Sequence, residues 1–331
     1  MIISKTPLRM SYVGGGSDLP SFYRKYGGAV ISTAINKYIY IMVKNRFEKG
    51  IRISYSVTEN VNSKHQIKHP IVKNALDLVN LNDDIEIVSM ADIPATGTGL
   101  GSSSSFSVGL LKALYQFQDK ECSIYDLAEN ACHLEIQMCN SPIGKQDQYA
   151  AAFGGLKVYK FNEDDSVTVE DVECSEETIR QLNNQTLAFY IAGKRDANTI
   201  LRKQSSNMQE KNKADLMLKM VNLVPIMRDE LVAGNLENFG SILHENWELK
   251  RTLSGEISNS YINELYNEAI ICGATGGKLL GAGGGGFMIF HTPNSHVKTN
   301  LRERFSKLRE VNFNIEDSGS VITYNNIGEK L

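Results

Sequence analysis

What the chain lacks narrows its class first. No apolar run in its 331 residues approaches the roughly 20 that a bilayer-spanning helix needs. The opening residues, MIISKTPLRMSYVGGG, have no basic-then-apolar secretory signal. Basic residues are not in excess: 35 Lys and Arg against 38 Asp and Glu give a net charge of −3, without the footprint of a nucleic-acid binder. Cysteine is scarce and unpatterned. The five (Cys122, Cys132, Cys139, Cys174 and Cys272) are odd in number, with no Cys-x-x-Cys or Cys/His metal spacing. Free thiols in a reducing, cytoplasmic compartment are therefore expected, with neither a disulfide framework nor structural zinc. Internal repeats and low-complexity tracts are also missing.

What is present is a globular composition in a chain too long for one typical core, which predicts two domains. The acidic, polar stretch FNEDDSVTVEDVECSEETIRQLNNQ reads as a surface hairpin and connection, dividing the chain into 1–175 and 186–331. Before it, KTPLRMSYV alternates with Leu8, Met10 and Tyr12 on one face, as a strand does. YIYIMVKNRF and IRISYSV, rich in β-branched and aromatic residues, predict neighbouring antiparallel strands. DIEIVSM predicts another strand, and SIYDLAENACHLEIQM a helix capped by Ser123, with Cys132 and Cys139 on similar faces. Beyond the connection, TLAFYIAG predicts a strand. NMQEKNKADLMLKMVNLVPIMRDELVAG predicts a long helix interrupted at Pro225, and SYINELYNEAIICG a helix stopped by Gly273.

The segment PATGTGLGSSSSFSVGLLKAL, Pro94 to Leu114, carries the first chemistry. Phe106, Val108, Leu110, Leu111, Leu114 and Phe117 recur at helical spacing, so a buried helix opens at the serines. Gly97, Gly99 and Gly101 give Gly-x-Gly-x-Gly rather than the dinucleotide fingerprint, and no lysine falls between Pro94 and Lys112 to make a Walker A loop. A lysine-free phosphate cradle remains. Glycines let backbone amides approach an anion, and the helix start presents unpaired N–H groups. The alternative is a Gly/Ser linker, which the flanking apolar strand and helix disfavour. Such a cradle needs charge from elsewhere, and Mg²⁺ held by a serine hydroxyl and a carboxylate would supply it. Glu135, in CHLEIQM, could be that carboxylate or a solvated helix residue.

Three stretches together resemble the GHMP family of small-molecule kinases: TPLRMSYVGGGSD, PATGTGLGSS and KLLGAGGGGFMIF, in that order and over essentially the whole chain. RMSYVGGGSDLPSFY followed by YGGAVISTAINKYIYI is most similar to the members that phosphorylate D-glycero-D-manno-heptose 7-phosphate. The resemblance implies an α+β fold in two domains. The first would be like domain 2 of ribosomal protein S5 and the second ferredoxin-like, with the active site between them. It implies ATP and Mg²⁺ as cofactors, a sugar phosphate as partner, and neither nucleic acid nor membrane. The expected reaction is phosphorylation of the anomeric hydroxyl to the 1,7-bisphosphate, in nucleotide-activated heptose biosynthesis. The alternatives are a galactokinase- or fucokinase-like sugar kinase and an inactive nucleotide- or sugar-binding relative. Oligomeric state is not legible.

Carried over by residue, the resemblance makes Asp147 the catalytic aspartate and Arg9 the basic residue beside it. Asp18, with Gly15, Gly16 and Ser17, would hold the sugar. Pro94, Gly97, Gly99, Leu100, Gly101, Ser102, Ser103 and Ser104 would surround the nucleotide phosphates. Ser103 and Glu135 would bind Mg²⁺, with Ser102 and Ser104 as rivals for the serine. Gly281 and residues 283–286, Gly283 and Gly284 among them, would close over the centre. Lys145, Lys194 and Arg195 are the cationic candidates for the acceptor phosphate. Many relatives have a Thr-Gly pair where this chain has Ile191-Ala192-Gly193. Read without the resemblance, Arg9 could be a surface residue, Asp147 a helix cap, His133 a packed histidine and Trp247 core.

Overall fold

A computed structural model describes residues 1–82, 84–93, 97–191, 197–207 and 211–326. The chain begins β1 (Ile2–Val13), α1 (Pro20–Tyr26), β2 (Gly28–Asn45), β3 (Ile51–Ser54), β4 (Thr58–Val61), α2 (Pro70–Leu78), β5 (Ile85–Ala91) and α3 (Ser102–Phe117). It continues through α4 (Ile124–Cys132), α5 (Gln146–Phe153), β6 (Leu156–Phe161), β7 (Val167–Asp171), α6 (Glu176–Gln185), β8 (Thr186–Ile191) and α7 (Ala197–Asn207). Then come α8 (Lys211–Val232), α9 (Glu237–Leu253), α10 (Ser260–Ile271), β9 (Gly276–Leu279), β10 (Gly286–His291), α11 (Ser295–Arg304), β11 (Arg309–Glu310) and β12 (Val321–Asn325). No helix among the described residues is long and apolar enough to cross a membrane.

The strands form two sheets. The larger has the order β12-β1-β2-β5-β3-β4, with β6 on β2 and β7 on β6. β2 is shared lengthwise: Gly28 to Thr33 pair with β6, and Ile39 to Asn45 pair with β5. Its pairing with β1 shifts register at Pro7/Leu8, next to the one residue there that has no N–H to donate. The smaller sheet, β11-β8-β10-β9, is antiparallel throughout. Apolar residues alternating along β1, β2 and β5 make one core, with α3, α4 and α5. Phe189, Met288, Phe290 and the fully buried Trp247 anchor the other.

α3 comes unusually close to β1. A Cβ on Gly109 would lie 2.6 Å from Thr6 Oγ1, so only glycine fits. Ser4 Oγ then donates to the Gly109 carbonyl at 2.7 Å, and Ser105 Oγ to the Pro7 carbonyl at 2.8 Å. These bonds fix the start of α3 over the middle of β1, where Arg9 lies.

Several expectations need correction. β3 does not neighbour β2, because β5 lies between them and pairs with β3 in parallel. Pro225 does not interrupt its helix: α8 runs through it, held along its length against α9 and β2. The acidic stretch does contain the turn and second strand of the β6–β7 hairpin, but its second half is α6, capped by Ser175. The expected division at 175/186 falls on α6, yet β12 from the second part pairs with β1 in the first sheet.

Candidate active site

The loop before α3 is built from left-handed backbone. Gly97, Gly99 and Gly101 have φ of 74°, 74° and 72°, a region that costs other residues about 1–2 kcal/mol each. Gly99 packs so closely on the start of the 281–286 segment that a Cβ would lie 2.3 Å from the Leu280 carbonyl oxygen. Gly101 is the N-cap of α3 and offers no side-chain acceptor, so the first-turn amides stay free for an anion.

Three acidic side chains approach this helix start. Asp147, in the first turn of α5, takes Arg9 in a bidentate pair: Nε to Oδ1 and Nη2 to Oδ2, both 2.7 Å. Arg9 Nη1 also donates to the Gly99 carbonyl at 2.6 Å, tying the pair to the glycine loop before α3. Asp18 is buried and accepts from Gly16 N, Gln146 N and Gln146 Nε2 at 3.1–3.2 Å. Burial, then the charge of Asp147, raises its pKa against these hydrogen bonds. Gly144 makes room for it, since a Cβ there would lie 2.0 Å from Asp18 Oδ2.

Glu135 lies in a π-helical turn, His133–Met138, which continues α4 and swings the carboxylate inward. It is 1% exposed, accepting Ser103 Oγ at Oε1 and Gln148 Nε2 at Oε2, both 2.7 Å. Burial raises its pKa, opposed by hydrogen bonds from Ser103, Ser104 and Gln148. A buried carboxylate with a serine hydroxyl at the mouth of an anion cradle is a hard-oxygen donor set of the kind Mg²⁺ takes beside phosphates.

These groups share one cleft of about 490 Å³. Of the residues singled out in the sequence, Arg9, Gly15, Gly16, Asp18, Gly97, Gly99, Gly101, Ser102 to Ser104, Glu135, Asp147 and Gly281 line it. The rest lie elsewhere. Ser17 is buried against the Ala29 backbone, and Leu100 lies in the core, its carbonyl accepting Arg9 N at 3.0 Å. Gly283 and Gly284 pack on Ile257 outside the cleft lining. Lys145 turns away, its Nζ on the Asp165 carbonyl and 3.7 Å from Glu129, in a separate pocket of about 470 Å³. Pro94, Ala192, Gly193, Lys194 and Arg195 lie outside the described residues. Asp147 is not the cap of α5, a place Lys145 holds, and His133 is exposed rather than packed.

Several cleft residues, Lys250, Ser11, Gln146 and Gln204 among them, were not anticipated. Lys250 of α9 is 5% exposed, with Nζ on the Gly281 carbonyl at 2.8 Å. Ser11 Oγ, Gln146 Oε1 and Gln204 Nε2 are buried there without a hydrogen-bond partner.

Free amides at a helix start, a carboxylate–arginine pair and a pocket of unsatisfied polar groups suit the class of enzymes that transfer phosphoryl groups to a polar acceptor. The GHMP kinases N terminal domain matches residues 70–155, and the GHMP kinases C terminal domain residues 227–307. The chain belongs to the GHMP kinase family and is an ATP-dependent sugar kinase. It is 28% identical over 305 residues to the D-glycero-alpha-D-manno-heptose 7-phosphate kinase of Campylobacter jejuni, covering 87% of this chain and 88% of that one. To the mevalonate kinase of Methanothermobacter thermautotrophicus it is 24% identical over 306 residues, 86% and 90% of the two chains. Its fold matches the crystal structure of a D-glycero-D-manno-heptose 1-phosphate kinase from Bacteroides thetaiotaomicron at a TM-score of 0.82 and 24% identity, covering 98% of this chain and 100% of that one.

Proposed function

We propose that the protein transfers the γ-phosphoryl group of ATP to the anomeric hydroxyl of D-glycero-D-manno-heptose 7-phosphate, giving the 1,7-bisphosphate for a nucleotide-activated heptose. The observation that carries the sugar is the set of buried, unpartnered atoms in the cleft: Ser11 Oγ, Gln146 Oε1 and Gln204 Nε2, beside Asp18. Leaving such atoms unsatisfied costs about 1–3 kcal/mol each, so the pocket suits a ligand with several hydroxyl groups. The choice of heptose is supported by the two relatives whose names carry that sugar, although one is a 7-phosphate and the other a 1-phosphate kinase.

In this reading the free amides of α3 and the hydroxyls of Ser102 and Ser104 hold the β- and γ-phosphates. Ser103 and Glu135 would hold Mg²⁺, which neutralises phosphate charge when bound. Asp18, Gln146 and Gln204 orient the sugar. Asp147 accepts a hydrogen bond from the reacting hydroxyl and receives its proton, while Arg9 holds the carboxylate in place through its bidentate pair. Lys194 and Arg195, next in sequence after β8, are the proposed partners of the 7-phosphate. The second reading, a kinase of an unphosphorylated sugar, draws on the direction of Lys145. Among the described residues only Arg9 and Lys250 bring a positive charge to the cleft lining.

The test is ADP release with ATP and a panel of sugars and sugar phosphates. We expect kcat/KM for the 7-phosphate to exceed that for the free heptose by roughly 10- to 150-fold, the worth of one charge-assisted contact. Equal values would sink the heptose phosphate reading and promote the second.

A further inference from the structure

We propose that Lys250 is a catalytic cation that meets the phosphoryl group as it crosses from donor to acceptor. The inference rests on the chain being an ATP-dependent sugar kinase and not on which sugar it takes.

The lysine sits at the seam of the two half-sites. Its one hydrogen bond among the described residues goes to the Gly281 carbonyl. Gly281 lies flat against the phosphate loop, where a Cβ would come within 2.4 Å of Gly99 Cα. On the opposite side, a Cβ built on Gly15 would lie 3.8 Å from Lys250 Nζ, 3.3 Å from Ser11 Oγ and 3.9 Å from Gln146 Nε2. The ammonium therefore touches the floor of the nucleotide cradle and the polar acceptor pocket at once.

Its hydrogen bonding is incomplete. An ammonium has three donors, and a single carbonyl leaves two of them open in a group that is 5% exposed. The neighbouring Lys278 shows the contrast. It too is buried, but its Nζ donates to two carbonyls, Ser11 at 2.6 Å and Tyr12 at 2.7 Å, and it lies outside the cleft lining. Lys278 buttresses β1, whereas Lys250 lines the cleft.

The charged groups around Lys250 explain why an anion belongs there. Arg9 and Lys278 repel it, and Asp18 and Asp147 attract it without forming an ion pair with it. Burial, with Arg9 next, lowers its pKa to about 8, against the pull of the two aspartates. Arg9 already spends three donors on Asp147 and Gly99. Charge that develops on the moving group between Gly99 and Gly15 thus has Lys250 as its freest partner, and a preformed cation there acts where transition-state charge is largest.

The experiment compares Lys250→Met and Lys250→Arg with the wild type, using whichever acceptor the wild type turns over best. Binding of a fluorescent ADP analogue shows that each variant is folded. The methionine variant should bind it within a few-fold of normal and lose roughly 10²–10³ in kcat, the usual result of removing one transition-state donor. Wild-type kcat/KM should fall above about pH 8, as the lysine of the free enzyme loses its proton. In Lys250→Arg that limb should vanish. A methionine variant with kcat within threefold of normal overturns the proposal, as does a loss confined to the acceptor KM. If the methionine variant fails to bind the analogue, an alkaline limb that persists in the arginine variant overturns it instead. A wild type that prefers another sugar removes the heptose reading and leaves this test intact.

Discussion

Replacing Asp147 by Asn separates a proton acceptor from a mere counterion. Both carboxylate oxygens now receive N–H donors of Arg9 at 2.7 Å. The amide keeps the shape but offers one acceptor, so its NH₂ faces an Arg9 donor and the guanidinium loses half its grip. Breaking a buried ion pair costs about 3–5 kcal/mol. Here the Asp147 side chain is 24% exposed and one oxygen remains, so we expect about 1–2 kcal/mol of lost stability. The kinetic effect should be larger. A positioned acid–base group contributes roughly 10²–10⁴ in kcat, equal to about 2.7–5.5 kcal/mol of barrier. The amides of α3 are untouched, so ADP should bind within a few-fold of normal. Coupled ADP-release assays give kcat, fluorescent-nucleotide titration gives affinity, and thermal unfolding gives stability. Near-normal turnover with the expected drop in stability would refute the proton-acceptor role and leave Asp147 as the partner of Arg9.

Glu135→Gln should raise the Mg²⁺ concentration for half activity, because an amide holds a hard cation poorly; an unchanged magnesium titration would make Glu135 a purely structural acceptor for Ser103 and Gln148. Ser103→Ala should shift the titration the same way, and a shift in Ser102→Ala instead would move the metal ligand by one residue. His291 is buried between Thr275 Oγ1 and Gln185 Oε1, and burial lowers its pKa to about 4. Between that value and the usual value near 6.5 the unfolded chain binds a proton that the folded chain does not, so stability falls as pH drops through this window. The loss should reach on the order of 3 kcal/mol. Urea unfolding at pH 5 and pH 7 should show it in the wild type and much less of it in His291→Gln; equal slopes for the two proteins would show that His291 is not the group responsible.

The glycine loop before α3 and the helix start after it were legible because their physics is local. Spaced glycines, a serine run and a helical apolar pattern all lie within one segment, and α3 starts at Ser102 as the pattern predicts. Glu135 was half legible. A helix of 3.6 residues per turn gives no reason to turn it inward, and the six-residue π turn that does so has no sequence signature. Lys250 had no signal at all. In HENWELKRTL it reads as one of the basic residues common at helix C-termini, and only the approach of the 281–286 segment buries it. Lys145 was misplaced because closeness in sequence to Asp147 says nothing about direction: the two residues flank a helix start and point to different pockets. The order of β5 between β2 and β3 likewise depends on long-range pairing that no window of residues contains.

The return of β12 to β1 has a consequence for how the molecule is made. Ile2 pairs with Asn325 and Lys5 with Val321, and Thr6 Oγ1 meets Ser320 Oγ at 2.7 Å. As the chain leaves the ribosome, β1 can pair with β2 almost at once, but its other edge stays bare until the opposite end of the chain arrives. During that interval the strand that carries Arg9 presents open backbone donors and acceptors, the condition under which strands pair with the wrong neighbour. The final strand works as a clasp. Once closed, it stitches the segment that follows the second sheet to the first, so the walls of the cleft are held by a thread from each end of the chain.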